Sequence, residues 1–159
     1  MEAYVPITLI PLREIDLSLA AQFIVESQEW SPRSQIFTSP MEVLNTPNSL
    51  WLSALSDNEI VGIVGFSGIS WPDRSADVAL GVVPKWRTKG IGRILACLQN
   101  DYAFNELGLH RLQMVALEGS PSCKIASRAG LSLEGTLKKC RLKNGKYHNA
   151  SIYALLKEG

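Results

Sequence analysis

Three observations predict that the chain folds as one domain of mixed α and β structure. Its 159 residues suit one compact domain, since domains of roughly 100–150 residues are the commonest size. The composition, with 46% hydrophobic and 19% charged residues, is typical of ordinary globular proteins. Short β-branched, apolar runs alternate along the chain with segments of helical periodicity. We therefore predict a single domain over residues 1–159.

The first third of the chain predicts a strand, a helix and a long loop. Residues 7–12 form an apolar strand that Pro11 restricts to an edge or a strand end. Asp16 is placed to cap a helix from Leu17 to Trp30, where apolar residues recur at three- and four-residue spacing. The Pro-, Ser- and Asn-rich segment 31–49 predicts a loop with one short helix around residues 41–44. Such a loop could cover a substrate cleft.

The middle of the chain predicts three strands. Two apolar runs, LWLSAL and IVGIVGFSGI, flank a polar turn at residues 56–59, which indicates an antiparallel hairpin. A third run, ADVALGVV at residues 76–83, stops at Pro84, because proline cannot donate a ladder hydrogen bond.

The last third predicts two helices and three strands. A helix begins near Gly92, carries one apolar stripe as far as Leu107 and ends at Gly108. A strand over 110–117 and a short helix over 121–129 follow, and residues 131–156 then form two strands joined by Asn144-Gly145, a strong hairpin turn. The predicted order is β-α-(α)-β-β-β-α-β-α-β-β.

Charge and cysteine content exclude several classes of function. With a net charge of +1, no field over the whole molecule would attract nucleic acid or an anionic membrane. A basic cluster on the last hairpin is interpreted as a solvated face, with contact to a ligand phosphate or an acidic partner as the alternative; it comprises Lys138, Lys139, Arg141, Lys143 and Lys146.

The three cysteines, Cys97, Cys123 and Cys140, form no C-x-x-C pair, so neither a disulfide framework nor a metal site is indicated. The N-terminal residues lack the features of a secretory signal, and no apolar run approaches the roughly 20 residues that span a bilayer. We expect a cytoplasmic protein.

A phosphate-binding loop is predicted where the third strand of the middle segment gives way to the long helix. The sequence Arg87-Thr88-Lys89-Gly90-Ile91-Gly92 provides two glycines at a helix start, where unpaired backbone N–H groups and the positive end of the helix dipole meet. Arg87 and Lys89 add positive charge. A Walker A loop would need G-x-x-x-x-G-K-[ST], and a dinucleotide fingerprint would need a third glycine where Leu95 lies. Neither rival motif fits.

The motif and the order of elements resemble the GNAT acetyltransferases. Their signature is [RQ]-x-x-G-x-[GA] at the start of a helix that follows a strand. Within that superfamily the segment EGSPSCKIASRAGLSLEG and the ending NGKYHNASIYALL are similar to the branch of ribosomal-protein N-terminal acetyltransferases. The resemblance implies a GNAT-type α/β fold, with a twisted mixed sheet of about six to seven strands flanked by helices.

The resemblance also implies the residues of the site. Val82 and Val83 would offer main-chain groups to the pantetheine arm of acetyl-coenzyme A, and the amides from Arg87 through Arg93 would hold its pyrophosphate. Those residues are Arg87, Thr88, Lys89, Gly90, Ile91, Gly92 and Arg93. Ser122 falls at the position of a hydroxyl that could protonate the departing thiolate, or it could equally cap a helix.

Asp77 stands where relatives often carry a glutamate that deprotonates the incoming ammonium, because only the neutral amine can attack a thioester. The alternative interpretation is a solvent-facing strand residue. His110 and His148 are weaker candidates for the base.

Three positions depart from the family pattern. Gly119 replaces an asparagine, Ala126 lies where many relatives have a tyrosine acid, and Asn149 replaces an aspartate. Cys123 adjoins Ser122, but acyl-enzyme chemistry on its thiol is not expected.

The predicted function is acetyl transfer from acetyl-coenzyme A to a primary amine by direct attack, with a protein N-terminus as the leading acceptor. A small amine (an amino sugar, aminoglycoside, polyamine or amino acid) is the first alternative, and a non-catalytic module that binds acyl-coenzyme A is the second. The expected partners are the coenzyme and the acceptor, without nucleic acid, membrane or metal, and the resemblance allows a homodimer.

Overall fold

The computed structural model describes residues 6–28, 42 and 45–158. Its strands are β1 (Thr8–Pro11), β2 (Leu50–Ser56), β3 (Glu59–Ser70), β4 (Ser75–Val82), β5 (Arg111–Leu117), β6 (Ser132–Lys143) and β7 (Lys146–Leu156). The α-helices of the described part are α1 (Leu17–Gln28), α2 (Ile91–Asp101) and α3 (Pro121–Arg128), with 3-10 turns at Glu14–Asp16 and Pro84–Trp86.

The seven strands form one sheet in the order β1-β2-β3-β4-β5-β7-β6. Neighbouring strands run antiparallel except for β4 and β5, which are parallel. Parallel strands need a crossover connection, and α2 supplies it. This mixed sheet flanked by helices confirms the predicted fold class.

Each face of the sheet is covered by a different helix. Phe23 of α1 packs where a side chain at Gly81 would lie, so Gly81 and the residues in phase with it on β4, including Asp77, face α1. Leu95 of α2 occupies the corresponding position at Gly62, on the opposite face. The main core lies on the α2 side, around buried Phe66, Leu95 and Leu112.

The hairpin turns follow the predicted chemistry. Asn144 and Gly145 both adopt positive φ, at 50° and 74°, as a type I′ turn requires. Asp57 and Asn58 do the same between β2 and β3, at 49° and 63°. Polar residues that tolerate the left-handed region therefore set the register of both hairpins.

Several element boundaries differ from those predicted. The helix expected to reach Leu107 is α-helical only to Asp101 and continues as a π-helical turn over Tyr102–Glu106, closed by a 3.0 Å bond from the Leu107 N–H to the Tyr102 carbonyl. Apolar periodicity does not distinguish the two helix types over so short a stretch. Helix α1 is described to Gln28, and Trp30 and most of the short helix expected at 41–44 lie outside the described residues.

Across the described ranges, no helix combines the length and apolar character needed to cross a membrane.

We predict that Gly65→Ala destabilises the fold, because the added Cβ would lie 2.3 Å from Cζ3 of Trp51. Overpacking of this kind costs about 1–3 kcal/mol, and a domain of this size loses about 2–4 °C in Tm per kcal/mol. Thermal unfolding followed by circular dichroism measures the effect. Gly135→Ala, on β6 with open space around the new Cβ, is the matched control and should keep the parent Tm. Equal melting of the two variants would contradict the packing argument.

Candidate active site

The sheet opens into a fork between β4 and β5. These strands pair only over Ser75–Asp77 and Arg111–Gln113. Beyond that point β4 stays paired with β3 as far as Val82, and β5 stays paired with β7 as far as Leu117. Among the described residues, the inner edges of both strands therefore have no strand partners, and Asp77 lies at the apex of the fork.

Main-chain groups of β4 point into this fork. The N–H of Val83 donates to the carbonyl of Val61 in β3 at 2.9 Å. Gln99 Nε2 donates to the carbonyls of both Ala79 and Gly65, so the Ala79 carbonyl also points toward β3. Since main-chain groups alternate in direction along a strand, those of Leu80 and Val82 face the fork.

The two valines predicted to contact pantetheine therefore differ. The N–H of Val82 faces the fork, while its carbonyl accepts from Arg87 Nε at 2.9 Å. Val83 commits both of its main-chain groups to the fold, because its carbonyl accepts from the Trp86 N–H at 2.8 Å. The alternation points instead to Leu80 as a second donor, which the sequence alone did not identify.

The predicted phosphate loop lies at the wide end of the fork. Gly90 is the N-cap of α2 with φ of 78°, and in the described part of the chain no residue other than its own neighbours comes within 4 Å of where its Cβ would be. The first intrahelical bond runs from Ile94 N–H to the Gly90 carbonyl, so the N–H groups of residues 91–93 have no partner within the helix. An open, left-handed cap followed by these donors fits a diphosphate.

Side chains around this loop add positive charge. Arg87, Thr88, Lys89 and Arg93 are exposed, whereas the Ile91 side chain is buried beneath the loop and contributes only its amide. The ammonium groups of Lys85 and Lys89 lie 5.8 and 5.5 Å from the Trp86 ring centroid. Lys85 also pairs with Glu59 at 2.6 Å, and this hydrogen bond lowers the pKa of the Glu59 carboxyl.

Asp77 is half-buried on the α1 face at the apex. Gln113 of β5 donates from Nε2 to Asp77 Oδ1 at 2.7 Å. Opposite Asp77, β3 carries a bulge between Ser67 and Ser70 in which Gly68 adopts φ of 55°. A Cβ at Gly68 would lie 3.6 Å from Asp77 Oδ2, so the glycine keeps a side chain of β3 from covering that oxygen.

Ser122 is the second residue of α3 and is half-buried. Its neighbour Cys123 directs its thiol to the Leu117 carbonyl at 3.2 Å, a structural contact at the end of β5. Burial and then hydrogen bonding with Cys123 raise the pKa of Tyr153, which approaches α3 from β7. The start of α3 therefore lies next to the end of β5, the second strand of the fork.

The departures from the family pattern have local explanations. Gly119 adopts φ of 78°, a conformation that glycine and asparagine both tolerate. Ala126 is fully buried in the core. Asn149 accepts from the Lys139 N–H at 2.9 Å and so stabilises a bulge in the last hairpin. The alternative bases His110 and His148 are exposed, the first at the start of β5 and the second within that hairpin.

Comparison with known proteins decides the family. The model of the GNAT acetyltransferase family matches residues 14–130. The chain belongs to the GNAT family. It is accordingly an N-acetyltransferase that uses acetyl-coenzyme A, and the second alternative, a non-catalytic module, is set aside.

Individual GNAT relatives resemble the chain over most of its length or part of it. The L-amino acid N-acetyltransferase AaaT of Escherichia coli is 25% identical over 77% of this chain and 85% of its own. The spermidine N(1)-acetyltransferase of E. coli is 32% identical over 59% of this chain and 51% of its own. The spermidine N-acetyltransferase of Vibrio cholerae in complex with CoA and spermine superimposes with a TM-score of 0.79 at 20% identity, covering 94% of this chain and 95% of that one.

Within the described residues, no group of three or more His, Cys, Asp or Glu side chains is arranged to hold a metal ion.

The structure brings Asp77, Val82 and the residues from Arg87 through Arg93 to one fork, with Ser122 at the end of its other strand, β5. Gln113 was missed at the sequence level, because a polar residue on a strand gives no signal of its partner on another strand.

We predict that Gly92→Asp weakens acetyl-coenzyme A binding by roughly tenfold or more, because the new carboxylate would repel the diphosphate. A repulsion of about 1.4 kcal/mol corresponds to a tenfold loss of affinity. Isothermal titration calorimetry measures the affinity. Gly92→Ala is the matched control, because its Cβ would make an ordinary 3.7 Å contact with Val82 Cγ2. A folded Gly92→Asp variant with the parent affinity would show that the diphosphate binds elsewhere.

Proposed function

We propose that the chain acetylates a small primary amine and that Asp77 is the general base. The observation that carries this proposal is the position of Asp77, whose carboxylate lies at the apex of the fork with one oxygen beside Gly68, which carries no side chain. Direct attack requires a neutral amine, so a proton acceptor must lie near the place where the thioester of bound coenzyme would end.

The fork residues would bind and orient the coenzyme. Unpaired amides of residues 91–93 would hold the diphosphate, and the N–H groups of Leu80 and Val82 would face the pantetheine arm. When bound, acetyl-coenzyme A supplies an acetyl thioester to be attacked. The N–H donors along β4 are already fixed before the coenzyme binds, so they need not reorient during the reaction. Preorganised amides stabilise a developing oxyanion in this way.

Asp77 would accept the proton that the ammonium must lose, directly or through one water. On the other arm of the fork, Ser122 is the proposed donor to the departing thiolate. Its hydroxyl lies at the start of α3, next to the end of β5. General acid and base residues of this kind typically contribute about 10²–10⁴-fold each.

The choice of acceptor rests on the relatives. The sequence alone placed a protein N-terminus first and a small amine second. Two relatives are named for amino acid and spermidine substrates, and a third was solved with spermine. We therefore place the small amine first. A carboxylate at the apex also suits a cationic acceptor, since it attracts the ammonium before deprotonating it.

Other predictions remain proposals. The match to the family as a whole does not separate its branches, so the branch of ribosomal-protein acetyltransferases stays a prediction. The cytoplasmic location and the homodimer are likewise untested.

We predict that thiol release from acetyl-coenzyme A depends on a small amine. Spermidine, free L-amino acids and an amino sugar form the test panel, with a tetrapeptide bearing a free N-terminus as the competing acceptor. At least one small amine should give turnover well above the acceptor-free rate, with the peptide near background. Turnover with the peptide alone would restore the protein N-terminus as the acceptor.

Asp77→Asn should lower kcat/KM for the amine by about 10²–10⁴-fold while leaving acetyl-coenzyme A affinity unchanged, because the amide cannot accept the proton. Asp73→Asn is the matched control, since Asp73 is exposed on the β3–β4 turn and bonds to Ser70 within that turn. Equal activity of the two variants would exclude Asp77 as the base.

A further inference from the structure

A chain of polar contacts leads from the edge of the sheet to Asp77. Glu134 of β6 accepts two hydrogen bonds from the Arg111 guanidinium, at 3.0 and 2.5 Å. Arg111 Nε donates to Gln113 Oε1 at 3.3 Å, and Gln113 Nε2 donates to Asp77 Oδ1 at 2.7 Å. The chain crosses from β6 over β7 and β5 to β4, on the face that carries α1.

The contacts fix which way the Gln113 amide points. A guanidinium can only donate and an ionised carboxylate can only accept. With Arg111 on one side and Asp77 on the other, only one orientation of the amide satisfies both neighbours. The Arg111 side chain is itself held by two bonds to Glu134, so the donor that reaches Asp77 is presented in one direction.

The contact leaves the two oxygens of Asp77 in different surroundings. Oδ1 is occupied by Gln113, while Oδ2 lies beside Gly68 in the bulge of β3, a position that carries no side chain of its own. Without the hydrogen bond from Gln113, the Asp77 side chain could rotate and its carboxylate would sample several orientations. Holding a proton acceptor within a narrow range of geometry is a recognised source of rate, since small misplacements of a reacting group are costly.

We propose that Gln113 is a positioning residue of the transferase, which binds Asp77 Oδ1 so that Oδ2 accepts the proton of the amine. The inference rests on the proposed function, because it presupposes that Asp77 is the base. Arg111 supports Gln113 by fixing its amide. Gln113 acts through Asp77 and is therefore not itself a catalytic residue.

A double-mutant cycle between Gln113 and Asp77 tests this role. Gln113→Met keeps the length of the side chain and removes the donor. We expect it to lower kcat about tenfold, the loss of one hydrogen bond to a charged group, with the KM for acetyl-coenzyme A unchanged. In the Asp77→Asn background the same substitution should change kcat by less than about twofold, because the base is already absent.

Asn105→Leu is the matched control. It removes an amide that donates to an aspartate, Asp101, at 2.5 Å, and it lies at an exposed position in the π-helical turn that follows α2. Its kcat should equal that of the parent. Gln113→Glu provides a second variant of the same length, so that a folding defect of Gln113→Met is not mistaken for a catalytic one, and it should lower kcat at least as much.

The outcomes separate the two proposals. No turnover with any amine contradicts the proposed function, and turnover that survives Asp77→Asn contradicts the role of Asp77 as base. Equal losses from Gln113→Met in both backgrounds, or no loss in the parent background, contradict the role of Gln113 alone. A loss confined to the background with an intact Asp77 supports it.

Discussion

The parting of β4 and β5 after three residue pairs is the constraint on which the site depends. A sheet that paired these strands to their ends would satisfy every inner main-chain group and leave no place for a ligand. The outer neighbours β3 and β7 keep both strands in place, so the fork is held open by pairing on its two sides rather than by a flexible loop. Its unpaired donors are therefore fixed in position before any ligand binds.

Two further features follow from the same parting. Because β4 ends at the wide mouth of the fork, the next helix begins there, and its free amides face the same space as the edge of β4. Because the strands still pair at their beginnings, side chains in phase on the two strands meet at the apex. Asp77 and Gln113 are such a pair, and their contact joins the two arms at the point where they separate.

The sequence predicted those parts of the molecule that depend on local chemistry. Asn144-Gly145 specified a hairpin and the glycines of the loop marked the start of α2, because these residues tolerate positive φ. Pro84 marked the end of β4, because it cannot donate a ladder hydrogen bond. The order of elements, combined with the family resemblance, also predicted roles for Asp77 and the loop from Arg87 through Arg93.

Features that depend on distant contacts were beyond that approach. Asp77 and Gln113 are 36 residues apart, and nothing in either segment names the other. The sequence predicted that Val83 offers main-chain groups to pantetheine, but its N–H donates to Val61. The direction of main-chain groups depends on strand pairing, which the sequence does not specify residue by residue. The π-helical turn after Asp101 carries the same apolar spacing as a continuing α-helix.

A crystal structure of the chain with coenzyme A would show whether the fork binds the coenzyme. We expect the diphosphate oxygens to lie within hydrogen-bond distance of the N–H groups of residues 91–93, the pantetheine arm to run along Leu80 and Val82, and the thiol to end beside Asp77. A diphosphate bound away from the start of the helix, or strands that close the fork and exclude the arm, would contradict this expectation.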